Sequence, residues 1–301
     1  MQVTILGNSS GGPFYGRHYT AQVVRVGQQA YLIDCGEGTQ MQIFKYRIKI
    51  DRCNHFFISH LHGDHVFGLM GLITNLSLRK RTETLHLYSP PGLQELIETT
   101  IRVCGVRLSY ALVFHEVDAT QHAMVFETPQ LEVWTIPLNH RSPTTGWLFR
   151  EKPRQRNIQP EAIEQYALTF AQIRAAKAGK DLVLADGETL PNEAVTLGPK
   201  PPRSYAFCSD TAYSEAVIEA VDGVDLLYHE ATFTESHLEE AAISFHSTAA
   251  QAAEVAKRAQ VKQLILGHIS GRYSETDGHL AEAKAVFNPV YIAEEGSVWE
   301  V

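Results

Sequence analysis

The sequence predicts a layered α/β fold, a single domain over 1–301 that carries an inserted arm at 151–197. Three observations point there. Short apolar runs of strand length alternate with helix-like stretches, the pattern of sheets covered by helices. Several of the runs end in histidine or aspartate, at His60, His140, Asp210 and His268, and strand ends are where layered α/β folds gather their chemistry. Between 151 and 197 that alternation stops, and prolines and basic residues take over.

Each element follows in order. Residues 3–6 form a short apolar strand, and Gly7-Asn-Ser-Ser-Gly-Gly-Pro13 is a loop of turn formers. Runs 21–26 and 29–33 make a hairpin about Gly27-Gln28. The strand at 55–59 runs into His60-Leu-His-Gly-Asp-His65, and 66–78 is a helix. A strand at 85–88 precedes Pro91-Gly92 and a helix through Arg102. Strand 131–138 ends at Asn139-His140, and 147–150 is a further strand. In the arm, Pro153, Arg154, Arg156 and Pro160 mark a linker, 161–178 reads as one helix, and Gly179-Lys180 and Asp186-Gly187 are turns. After Pro199-Lys-Pro-Pro202 the alternation returns. Strand 205–208 ends at Ser209-Asp210, helix 214–221 and strand 226–229 follow, and an Ala-rich helix at 247–259 leads to strand 263–266 and Gly267-His268.

Composition narrows the function. The chain is apolar enough to bury a core, and no apolar run approaches the roughly 18 residues of a membrane-spanning helix. The N-terminus reads directly into a strand, so no secretion leader is expected. Cys35, Cys53, Cys104 and Cys208 are scattered without a Cys-x-x-Cys pair, which argues against a disulfide scaffold or a thiolate metal site and fits a reducing cytoplasm. A formal charge of −8 requires that any nucleic-acid partner be met by a local basic patch or by metal ions. The unusual figure is 14 histidines, because three of them sit in one hexapeptide.

That hexapeptide, His60-x-His62-x-Asp64-His65, carries the chemistry. His60 and His62 can reach one centre from an extended turn, and Asp64 and His65 face a second. Neutral imidazole is the commonest zinc ligand, and a carboxylate balances charge and can bridge two ions. A hydroxide shared by two zincs is a nucleophile near neutral pH, and the ions stabilise charge on a phosphoryl oxygen. A solitary strand-end histidine such as His140 is usually structural; beside this loop, His140, Asp210 and His268 become candidates for the same centre.

With these residues in place the sequence resembles the metallo-β-lactamase superfamily and, within it, the ribonuclease Z family of tRNA 3′-processing endonucleases. The motifs are Phe57-Ile-Ser-His-Leu-His-Gly-Asp-His-Val-Phe-Gly-Leu69, Ser209-Asp-Thr211, His229-Glu-Ala-Thr232, Phe245-His-Ser-Thr248 and Leu266-Gly-His-Ile-Ser-Gly-Arg-Tyr273. The resemblance implies a four-layer αββα sandwich and two Zn2+ per subunit. It implies His60, His62 and His140 on one ion, Asp64, His65 and His268 on the other, and Asp210 bridging. Asp64 would orient or deprotonate the attacking water. His246 would stabilise the transition state or protonate the departing 3′ oxygen, paired with Glu230. Arg272 would contact phosphate, and Asp34 would orient a ligand histidine. Arg17 falls where the family has an Arg-Asn pair, but His18 follows it here. The family also implies a homodimer.

The arm supplies the basic patch. From 150 to 180 seven basic residues, among them Arg174, Lys177 and Lys180, face only Glu151, Glu161 and Glu164. In the family an arm in this region projects from the core and grips the body of precursor tRNA, through contacts that are salt-dependent and blind to sequence. Arg79-Lys-Arg81 is a second basic cluster, able to line the approach to the site or to cap a helix. The expected activity is a zinc-dependent cut that removes the 3′ trailer of precursor tRNA and leaves a 3′-hydroxyl. The alternatives are another hydrolase of the superfamily, acting on a lactone or small phosphodiester, and a non-catalytic RNA-binding homologue.

Overall fold

Alternating apolar residues assemble two seven-stranded sheets, described here from a computed structural model over residues 1–184 and 187–301. The first runs Val298–Glu300, Gln2–Gly7, Ala21–Val26, Gln29–Ile33, Cys53–Phe57, Leu85–Ser89, Leu112–Glu116. The second runs Val290–Ile292, Gln263–Gly267, Leu226–Glu230, Ser204–Cys208, Thr145–Glu151, Leu131–Pro137, Met124–Glu127. Tyr31, Phe57, Trp147, Phe149, Tyr205 and Phe207 fill the space between the sheets. Separate apolar layers cover the outer faces. Leu69, Leu72, Ile73 and Leu76 of one helix and Ile97 of another pack with Leu87 on the first sheet, and an Ala-rich helix packs with Leu227 and Leu264 on the second. Three buried layers between four tiers are the αββα sandwich.

Half of each sheet is parallel, and this positions the site. Gln29–Ile33, Cys53–Phe57, Leu85–Ser89 and Leu112–Glu116 run one way in the first sheet, and Ser204–Cys208, Leu226–Glu230, Gln263–Gly267 and Val290–Ile292 run one way in the second. The loops that follow Ile33, Phe57, Cys208 and Gly267 therefore open at C-terminal strand ends, where such sheets place ligands. Gly267 is required by contact: a Cβ there would lie 2.2 Å from the Tyr228 hydroxyl.

The chain divides into two compact units, one of residues 1–127, 131–150 and 203–301, the other of 128–130 and 151–202. The second has its own small core of Ala162, Leu168, Ala176, Leu182, Leu190 and Val195. Its expected single helix is two, Pro160–Gln165 and Phe170–Lys177. The break is physical. Ala167 adopts φ 47°, and Thr169 restarts the helix by a capping box with Gln172. Asp186, expected in a turn with Gly187, lies outside the described residues. The helix expected over 66–78 is likewise interrupted, as Gly63–Val66 and Leu69–Leu78. Arg81 departs from both expected uses of its cluster. It is buried, and its guanidinium donates to the carbonyls of Cys53, Glu83 and Thr84 and to Asn54 Oδ1. Arg79 pairs with Asp51.

Candidate metal centre

The hexapeptide follows the buried strand Cys53–Phe57, and Ile58 and Ser59 carry it below the surface before His60. Asp210 and His268 each sit at the first bend after a parallel strand, with φ of 58° and 56°. Asp34 takes φ 54° at the end of its own strand. Left-handed backbone at three polar residues is a strain kept where side-chain aim matters.

These bends bring the predicted residues together in two nests. Ligand atoms of His60, His62, His140 and Asp210 lie within 4.8 Å of one another, and so do those of Asp64, His65 and His268. Asp210 faces both. Its Oδ2 is 3.5 Å from His60 Nε2 and 4.0 Å from His140 Nε2; its Oδ1 is 3.0 Å from His65 Nε2 and 3.2 Å from His268 Nε2. Asp64 Oδ2 lies 3.7 Å from His65 Nε2 and 3.5 Å from His268 Nε2. The backbone N–H of Gly11, in the N-terminal loop, donates to that same oxygen at 3.0 Å.

The rings are held from behind. Nδ1 of His65 meets Asp34 Oδ2 at 2.7 Å, and Asp34 also accepts from the Ser59 amide at 2.7 Å and the Ser59 hydroxyl at 2.8 Å. Nδ1 of His60 meets Ser59 Oγ, that of His140 the Phe245 carbonyl, and that of His268 Thr232 Oγ1. A partner on Nδ1 fixes the ring and turns Nε2 inward. His62 presents Nδ1, 2.9 Å from His60 Nε2.

Electrostatics fit a cation. Burial disfavours charge on His65, yet Asp210, Asp64 and Asp34 outweigh it and push its pKa well above the usual value. Burial would raise Asp210, but His268, His65 and His60 pull it well below the carboxylate range. His60 is pushed far down by burial and by His65. The deciding atom is His140 Nε2, buried with no hydrogen-bond partner among the described residues and aimed at a carboxylate oxygen. A divalent ion satisfies such a donor set of imidazoles and carboxylates.

Beside the nests lies the pair Glu230 and His246. Fully buried Glu230 accepts from the Thr211 amide at 2.9 Å, the Thr232 amide at 3.0 Å and the Thr232 hydroxyl at 2.7 Å, and meets His246 Nδ1 at 2.7 Å. Burial opposes charge on His246, but Glu230 raises it to about 9. A ring nitrogen of His246 lies within 4.8 Å of ligand atoms of Asp210 and His268. Thr248, in the same motif, caps a helix with Gln251.

Residues 163–269 match the family model described as a beta-lactamase superfamily domain. The chain is 45% identical to Ribonuclease Z of Bacteroides fragilis strain YCH46 over 98% of its own length and 97% of that protein's. The chain belongs to the ribonuclease Z family. The Ribonuclease Z of Porphyromonas gingivalis ATCC 33277 is 43% identical over 97% of this chain and 96% of its own. Among solved structures, the short form of human tRNase Z superposes with a TM-score of 0.73 at 26% identity, covering 100% of this chain and 99% of that one. The long form of yeast RNase Z shares the fold, with a TM-score of 0.66 at 14% identity over 99% of this chain and 41% of that one. Residues 1–152 also fall within the family described as Anti-Pycsar protein Apyc1.

Other ribonuclease Z-motif residues take less central places. His229 bonds its own neighbour's carbonyl beneath the site. Arg272 is exposed, without a carboxylate partner among the described residues. In the second unit Arg174 and Lys180 are exposed and Lys177 is half-buried, and none has an ion-pair partner among the described residues, whereas Arg154 pairs with Glu151 and Arg156 Nε donates a hydrogen bond to Thr196 Oγ1. Over 151–202 seven basic residues meet seven acidic ones, so the positive excess is confined to the first part of that unit. The sequence reading assigned no role to Ser59, Thr232 or the Gly11 amide. Ser59 and Thr232 lie inside the quoted motifs, Ser59 directly before the hexapeptide, and Gly11 lies in the N-terminal loop of turn formers.

Proposed function

We propose that this chain is a two-zinc endoribonuclease that removes the 3′ trailer of precursor tRNA and leaves a 3′-hydroxyl on the tRNA. The observation that carries this reading is Asp210, whose two oxygens face two separate histidine nests beside the Glu230–His246 pair. One set, His60, His62 and His140, would hold the first zinc; Asp64, His65 and His268 would hold the second; Asp210 would serve both. Bound there, zinc supplies Lewis acidity that activates water and stabilises charge on phosphoryl oxygens.

The chain's own groups do the rest. Asp64 accepts a hydrogen bond from the attacking water, so points its lone pair at phosphorus, opposite the scissile P–O3′ bond, and takes the proton that the water releases as it attacks. As the new P–O bond forms and P–O3′ breaks, His246 gives its Nε2 proton to the departing 3′ oxygen. Glu230, bound at Nδ1, keeps that imidazole charged and oriented, as carboxylates do for catalytic histidines. The phosphate leaves on the trailer. Arg174, Lys177 and Lys180 add salt-dependent affinity for the tRNA backbone, and Arg272 a fork for phosphate.

Two further traits belong to the reading. Met41, Phe44, Phe67 and Leu78 are exposed large apolar residues on neighbouring helical segments, which supports a homodimer. No helix among the described residues is long and apolar enough to cross a membrane, and the scattered cysteines suit the cytoplasm. The test is incubation of purified protein with a 3′-extended tRNA, with and without chelator, followed by mapping of both ends. A tRNA ending in 3′-hydroxyl and a trailer with a 5′-phosphate are expected, lost on chelation. Intact RNA, or cuts scattered along it, would refute the proposal.

A further inference from the structure

A cavity of about 840 Å3 opens beside the candidate centre, and His140 belongs to both. Its volume is that of a small-molecule site. Pro91, Pro137, Pro143 and Leu138 give it flat apolar walls. Asn139 and Arg141, the two neighbours of His140, line it with exposed side chains. The hydroxyl of Ser142 also lines it and is buried with no hydrogen-bond partner among the described residues. A buried hydroxyl without a partner costs free energy unless a ligand or water satisfies it.

We infer that this cavity is a subsite for one unpaired nucleobase adjoining the scissile phosphodiester, an inference that rests on the proposed endoribonuclease activity. The apolar walls fit a heterocycle's faces, while an amide, a guanidinium and a hydroxyl fit its polar edge. Single-stranded RNA is recognised by base faces laid on flat side chains, usually aromatic or guanidinium, and by hydrogen bonds to base edges; here proline rings supply the flat faces. His140 fixes the distance: a base seated here hangs from a nucleotide whose phosphate reaches the metal nests. Glu116 and Asp118, exposed on the lining, set the limit. Two carboxylates repel a second phosphate, so the cavity takes a base and not a run of backbone. Asp118 is already committed to the amide and hydroxyl of Thr120.

The test uses 3′-extended tRNA minihelices in which the nucleoside on either side of the cut is made abasic in turn, with bis(p-nitrophenyl) phosphate as a base-free ester. Loss of the seated base should lower kcat/KM by about 2- to 12-fold for each hydrogen bond lost at its edge. The effect should occur at one of the two positions. Ala216→Trp, on the exposed lining of the cavity, should bring the intact-to-abasic ratio towards one, and Ala216→Leu should shift it part-way if the larger ring is not accepted. Equal rates on intact and abasic RNA at both positions overturn the subsite, as does an unchanged ratio in both variants. Hydrolysis of the ester with no cleavage of any RNA refutes the endoribonuclease reading itself, and the subsite with it.

Discussion

Asp34→Asn should remove one metal and spare the other. Asp34 is fully buried and takes three hydrogen bonds, from the Ser59 amide on Oδ1 and from Ser59 Oγ and His65 Nδ1 on Oδ2. Asparagine is isosteric and tolerates the φ of 54°. If its oxygen keeps the Ser59 amide, its NH2 faces His65 Nδ1. The serine hydroxyl can rotate and accept, but the imidazole must carry its proton on Nε2. That nitrogen then points an N–H at Asp210 and Asp64 and cannot bind a cation. The reverse amide orientation sets two N–H groups against each other at Ser59, which leaves a buried donor unsatisfied at about 1–3 kcal/mol. Disrupting such an outer partner typically lowers metal affinity 10- to 100-fold, about 1.4–2.7 kcal/mol. Elemental analysis after gel filtration should fall from two zincs towards one, and competition with a chromogenic chelator should show one weakened site. Two zincs held with unchanged affinity would show that Asp34 does not set the His65 tautomer.

Other consequences can be measured directly. His246→Ala should lower kcat on precursor tRNA by about 10²- to 10⁴-fold, the reach of a general acid, while RNA binding by gel shift persists; a substrate with a 3′-sulfur leaving group should recover most of the loss. Asp64→Ala should abolish cleavage of both leaving groups. Burial, with Arg17 nearby, lowers His279 to about 4, so the folded chain keeps it neutral while the unfolded chain protonates near 6.5. The unfolded state then binds the extra proton, and stability present above pH 6.5 is lost as pH falls towards 4. The shift corresponds to about 3 kcal/mol, readable as a falling urea midpoint that His279→Phe should flatten. Replacing Arg174, Lys177 and Lys180 together with Ala should make the salt dependence of tRNA binding shallower by about 2–3 in log–log slope; an unchanged slope would remove them from the interface. Phe44→Glu should shift the mass measured by light scattering towards monomer, and an unaltered mass would leave that face without its assigned role.

Much of this was legible because chemistry and topology coincide in the chain. Six consecutive residues carry four candidate ligands, and Asp210 and His268 are marked by the apolar runs they terminate. Parallel strands then do the converging, without any signal beyond those ends. What was illegible depends on tertiary context. Leu112–Glu116 and Met124–Glu127 lie at sheet edges with mixed exposure, so they lack the clean alternation that marks a half-buried strand. Val290–Ile292 is only three residues long. The break at Ala167 is a single dihedral that helical periodicity does not record. Arg81 read as surface charge because nothing local reveals the four acceptors folded around it. Ser59 and Thr232 lie within the motifs, but motif membership does not say what they touch; their value comes from the imidazoles beside them.

Arg150 and Ser204 are direct antiparallel partners in the second sheet, and the chain leaves that sheet just after the first and re-enters just before the second. Everything between them is therefore an excursion whose departure and return are adjacent rungs of one ladder, about 5 Å apart. Length added there costs little in closure entropy, which grows only with the logarithm of the loop. A tight turn could close the gap and leave the two sheets alone, or a different module could be spliced in at the same two rungs. The fold thus keeps the residues between these rungs apart from the strands that carry the histidine nests, and either could be exchanged while the other keeps its register.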